Sequence, residues 1–77
     1  MNKQQRKQIE SLVSQLETIK DELETIKDDE ECKYDNLPES FQYGERGEQM
    51  QEGIEHLDSA ISSCDDVLNE LQEIFEN

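Results

Sequence analysis

Long apolar runs are missing from this 77-residue chain. None approaches the ~20 residues that cross a bilayer, and no basic, apolar and small-residue zones succeed one another as in a signal peptide. Positive charge is also scarce: seven Lys and Arg stand against 21 Asp and Glu, a formal net charge of −14. That balance excludes DNA, RNA or an anionic lipid surface as the main direct ligand, because each would repel the chain. A cytoplasmic, non-membrane protein is the expectation. The length limits the core as well. A chain this short buries too little surface for a self-sufficient globule unless something staples it or a partner covers it.

What the chain does have is heptad order. In the first half Ile9, Leu12, Leu16, Ile19, Leu23 and Ile26 step by three and four in alternation. In the second half Met50, Ile54, Leu57, Ile61, Cys64, Leu68, Leu71 and Phe75 do the same. This is the a/d pattern of packed helices. Part of it is a literal repeat, Leu16-Glu17-Thr18-Ile19-Lys20-Asp21 returning as Leu23-Glu24-Thr25-Ile26-Lys27-Asp28. Ala60, Val67 and Ile74 widen the second stripe to three positions in seven, which suits a bundle better than a narrow two-stranded seam.

Between the halves the periodicity stops at Asp35-Asn36-Leu37-Pro38-Glu39-Ser40, followed by Gly44 and Gly47. The pattern predicts an all-α protein with a helix over 3–33, a linker over 34–44 and a second helix over 45–75. An antiparallel, coiled-coil-like hairpin pairs the stripes when residue numbers add to 80, setting Ile26 on Ile54, Ile19 on Ile61 and Leu12 on Leu68. The same register sets Leu23 on Leu57, Leu16 on Cys64 and Ile9 on Leu71. Charge placement agrees. Lys3, Arg6 and Lys7 open the first helix and Glu70, Glu73 and Glu76 close the second, each unfavourable for an isolated helix dipole. An antiparallel fold lays the two ends side by side. A lone hairpin leaves half its core uncovered, and Leu at a with Ile at d favours more than two strands. The expected assembly is a dimer of hairpins forming a four-helix bundle, with these seam residues as its self-association core.

Catalytic chemistry finds no foothold. Cys32 and Cys64 miss the hairpin register by 16 residues, roughly 24 Å along the axis, which is beyond disulfide reach. Two unpaired thiols fit a reducing cytosol, with Cys64 a small hydrophobe on the seam. His56, the only histidine, falls on the outer face and makes no zinc site with the cysteines. Asp28-Asp29-Glu30-Glu31 lacks the calcium-loop pattern, and Gly44-Glu45-Arg46-Gly47 lacks the lysine of a phosphate loop. The sequence predicts no enzyme, no metal and no cofactor.

The acidic surface remains. Residues 36–77 hold eleven acids and one base, so the second helix is an almost purely anionic rod. Its plain meaning is solubility. Its sharper meaning is recognition of a basic protein surface, with carboxylates along a rigid helix imitating phosphates. Asp28, Asp29, Glu30 and Glu31 oppose the dipole at the first helix's C-terminus, and such local violations often mark function. Glu45, Glu48, Glu52 and Glu55 continue the surface. Tyr34, Phe41 and Tyr43 in the linker either plug the open end of the bundle or contact a partner.

The stretch from Asp35-Asn36-Leu37-Pro38-Glu39-Ser40 through Glu45-Arg46-Gly47-Glu48 resembles small acidic helical-hairpin proteins of bacteria, phages and mobile elements. The resemblance implies a cytosolic, non-enzymatic interaction protein and supplies no catalytic residues. The expected function is binding to a basic surface of a host nucleic-acid-handling or defence protein, in the manner of an inhibitor that mimics DNA. The alternatives are a structural or assembly module without such a target, and a small-ligand sponge with sites at subunit interfaces.

Overall fold

The computed structural model describes residues 1–76. It is all-helical: α1 spans Lys3–Asp35, α2 is a single turn at Glu39–Gln42, and α3 spans Glu45–Glu76. α1 contains neither Gly nor Pro, so nothing in its backbone interrupts the ladder. Its start is fixed by a capping box that the heptads do not announce. Asn2 Oδ1 accepts from the Gln5 amide at 2.8 Å, and Gln5 Oε1 accepts from the Asn2 amide at 3.2 Å. Its end runs two residues past the expected Lys33. There the Asn36 amide donates to the Cys32 carbonyl at 3.1 Å, and Leu37-Pro38 stops the helix because proline brings no donor and disfavours helix before it. The Pro38 carbonyl then accepts from the Phe41 and Gln42 amides, which starts α2.

α1 and α3 form a long pair with opposed chain directions, 58 Å by 15 Å by 15 Å. The radius of gyration is 17.4 Å, against ~11–12 Å for a compact domain of this length. Three side-chain contacts across the pair set the register: Lys20 to Asp65 at 2.6 Å, Lys27 to Asp58 at 2.9 Å, and Gln51 Nε2 to Tyr34 Oη at 2.9 Å. In each, the residue numbers add to 85. The half-buried row of α1 is Ile9, Val13, Leu16, Lys20, Leu23, Lys27, Glu30 and Tyr34. The matching row of α3 is Gly47, Met50, Ile54, Leu57, Ile61, Cys64, Leu68, Leu71 and Phe75. These rows align when numbers add to 84.

The register adding to 80 is thereby corrected. Leu12, Ile19 and Ile26 do not face Leu68, Ile61 and Ile54; they are 51%, 46% and 51% exposed. Leu23 lies opposite Ile61, Leu16 opposite Leu68 and Ile9 opposite Phe75, one turn along α3 from the expected partners. Two physical reasons account for the shift. First, α2 folds back on the opening turn of α3, so the chain reverses about Gln42 rather than Ser40. The approach is close enough that a Cβ on Gly47 would overlap the Gln42 and Phe41 carbonyls. Second, the register adding to 80 would set Lys20 and Lys27 against Ala60 and Gly53. The observed one lets their aliphatic stems cover the seam while both ammonium groups reach carboxylates. Ile61 and Leu68 are the buried apolar residues among those described.

Candidate interaction surfaces

The pair presents an acidic outer face, an aromatic turn and two unlike flanks. At ~100° per residue, Glu45, Glu48, Glu52 and Glu55 fall on the face of α3 directly away from the seam, and all four are exposed. Arg46 is the only cation of α3. At the end of α1, Asp28, Asp29 and Glu31 are exposed and Glu30 is half-buried. This cluster is less bare than its sequence suggests, since Glu30 lies 3.5 Å from Lys33 and Glu31 3.8 Å from Lys27.

The turn divides its aromatics. Tyr34, a candidate contact residue by sequence, is taken up by the fold: its hydroxyl accepts from Gln51 and its carbonyl accepts from Gln42 Nε2 at 3.1 Å. Phe41 and Tyr43 stay exposed, at 52% and 78%. Cys32 is exposed and Cys64 half-buried, and both are free thiols. His56 is exposed on α3.

The two flanks of the pair differ in kind. One carries the bridges. Lys20 reaches Asp65 and Glu24, Lys27 reaches Asp58 and Glu31, and a shallow groove there is lined by Glu17, Asp21 and Asn69. Both lysines are held above the ordinary ammonium value, first by the hydrogen bond to the facing aspartate and then by the surrounding carboxylates, with partial burial opposing. The other flank is apolar. Leu12, Ile19 and Ile26 on α1 share it with Ala60, Val67 and Ile74 on α3, and Val67 is 45% exposed. A groove lined by Glu30, Lys33, Arg46, Gln49 and Gly53 joins both helices at the turn end of that flank. One groove thus lies on each flank.

Sequence reasoning missed Lys20, Lys27, Asp58 and Asp65. The available signal was their spacing, seven residues within each pair. Among the described residues no group of three His, Cys, Asp or Glu could hold a metal ion, and no helix is long and apolar enough to cross a membrane. Comparison with protein-family models, with curated proteins and with solved structures finds no match to the chain.

Proposed function

We propose that this chain is a non-enzymatic interaction protein, an antiparallel hairpin that dimerises into a four-helix bundle and binds a basic protein surface through the outer face of α3. The observation carrying the reading is the alignment of Glu45, Glu48, Glu52 and Glu55 on one exposed face whose helix holds a single cation. Four carboxylates over eleven residues place about one charge per 4–5 Å of axis, close to the ~3.4 Å of a single nucleic-acid strand and far from the ~1.7 Å of a duplex. The partner class is therefore a protein with a groove for single-stranded or loosely spaced phosphates, such as a host nucleic-acid-handling or defence protein. The linker's resemblance to acidic hairpins of phages and mobile elements points the same way.

The test captures partners from a host lysate at low salt and titrates each identified partner against the purified chain. Affinity is expected to fall at least about tenfold between roughly 50 and 500 mM salt. It should fall comparably when Glu45, Glu48, Glu52 and Glu55 all become Gln, with helicity retained. A complex insensitive to both changes overturns the reading. The exposed apolar flank favours a second reading, an assembly module whose essential contact is its own bundle. In that case the four Gln substitutions leave function intact while Leu16→Asp abolishes it.

A further inference from the structure

The apolar flank carries information about what covers it. The solvent-accessible area is 5940 Å² for 9.0 kDa, roughly 1,000 Å² above the ~4,900 Å² that the size relation gives a compact monomer. A face 58 Å long and 15 Å wide matches the ~800 Å² per partner that a stable interface buries.

Acidic charge is sparse along the middle of this face, while its turn end carries Glu30, Lys33 and Arg46. The α1 line bordering it at seven-residue spacing reads Gln8, Gln15, Glu22, Asp29, and the α3 line reads Gln49, His56, Ser63, Glu70. Three acids stand in eight positions, and none lies near the middle of either helix except Glu22. The other flank instead places Glu17, Asp21, Glu24, Asp58 and Asp65 along its centre. A chain of net charge −14 meets a second copy of itself with least repulsion on the apolar flank.

Side-chain size gives the direction. Along α3 the flank reads Gly53, Ala60, Val67, Ile74 after Arg46 at the turn, growing steadily from Gly53 to the open end. A Cβ added at Gly53 would meet nothing within 4 Å, and Gly53 lines the groove at the turn end, so that end has room for a partner's side chain. We infer that a second copy docks on this flank with its long axis reversed, about a two-fold axis crossing the pair near Ile19 and Cys64. Ile74 of each copy then fills the space at Gly53 of the other, and Ala60 meets Val67. On α1, Leu12 meets Ile26 and Ile19 meets its own symmetry mate. The α3 row centres between residues 63 and 64 and the α1 row centres on Ile19. Their numbers add to about 82.5, some two residues short of the 84 and 85 that align the helices, so one axis serves both rows within about 3–4 Å. A copy docked in the same direction would stack α3 on the α1 of its partner, setting Ile74 near Leu12 at the open end and bringing no Ile74 to Gly53.

The inference rests on the dimer reading above and adds its geometry. Sedimentation of the intact chain at about 100 μM should give about 18 kDa, twice the chain mass. A mass of 9.0 kDa overturns both the docking and the dimer. Orientation is read by spin labels on Glu52→Cys in a Cys32→Ser, Cys64→Ser background. Reversed copies hold the two labels at least roughly 35 Å apart, because 23 residues of helix separate them along the axis. Mixing chains labelled at Glu52→Cys and at Gln72→Cys should bring the labels within about 30 Å. A dimer in which the Glu52→Cys labels lie closer than the mixed pair overturns the reversed docking and leaves the dimer standing. The same dimer should tighten as salt rises, since like charges are screened. Binding through the acidic face weakens with salt, so failure of one reading cannot be mistaken for failure of the other.

Discussion

The two flanks of this helix pair solve the same problem with opposite chemistry. Both border a seam too narrow to bury much. On one side Lys20 and Lys27 lay their stems across the edge and end on Asp65 and Asp58, so that edge is finished within a single chain. On the other side Leu12, Ile19 and Ile26 remain about half exposed, so that edge is only partly covered within the chain. A short chain cannot close a rod on all sides. Here the charged closure sits on one flank and the apolar surface is gathered on the other, which separates intrachain register from intermolecular contact.

Neighbouring residues in α3 offer the sharpest way to break the comparison. Leu68 is 7% exposed in the seam, whereas Val67 is 45% exposed on the bare flank. Leu68→Ala should cost about 2–4 kcal/mol, a large fraction of what a domain this small possesses. Loss of most far-UV helical signal near room temperature, or a steep drop in thermal midpoint, is the expected outcome. Val67→Ala should leave the unfolding of the dilute monomer nearly unchanged and weaken self-association at high concentration. Equal thermal shifts for the two variants would erase the distinction between seam and flank.

Gly47→Ala comes next. The substituted Cβ would run into the Gln42 carbonyl oxygen, an overlap with backbone that no flexible side chain can relieve. Overpacking of this kind typically costs about 1–3 kcal/mol. Because α2 leans on α3 at this point, the change should also disturb the turn. Amide exchange at Phe41, Gln42 and Tyr43 should accelerate by more than at α1 positions far from the turn. Gly53→Ala, with open space around it, is the matched control. In the monomer it should gain a little from helix propensity.

How much of this was readable beforehand differs between the levels of structure. Two long helices and a break near Pro38 follow from local periodicity and backbone chemistry, both written plainly in the chain. The register was not readable from apolar positions alone, because α1 supports two overlapping stripes that share Ile9, Leu16 and Leu23. One continues through Leu12, Ile19 and Ile26, the other through Val13, Lys20 and Lys27. A purely apolar count selects the first. The fold takes the second toward α3, since a lysine stem covers a seam nearly as well as isoleucine and its ammonium finds an aspartate opposite. The asymmetric turn, with α2 resting on Gly47, is a tertiary contact with no local signature. The acids on the outer face of α3 were legible, because helical spacing alone places them. Tyr34 was not, since its partners Gln42 and Gln51 are defined only once the chain has reversed.

The smallest expected effect tests the bridged flank. Lys20 and Lys27 have ammonium groups held above the ordinary lysine value of 10.5, chiefly by hydrogen bonds to Asp65 and Asp58. A group whose folded value is raised binds its proton more tightly in the fold than in the unfolded chain. Its contribution is therefore complete below the unfolded value and disappears as pH climbs through the raised one. The loss is confined to the alkaline side, above about pH 10.5. Replacing both residues by Met keeps the stems and deletes the charges. The thermal midpoint of the unaltered chain should fall more steeply above that pH than that of the Lys20→Met, Lys27→Met variant. Other alkaline titrations occur in both proteins and cancel in the difference. Both groups are solvent-accessible, so the gap should be small and should shrink further in high salt. Superimposable alkaline limbs would mean that the bridges merely decorate this edge, and that the lysine stems alone hold the register against Asp58 and Asp65.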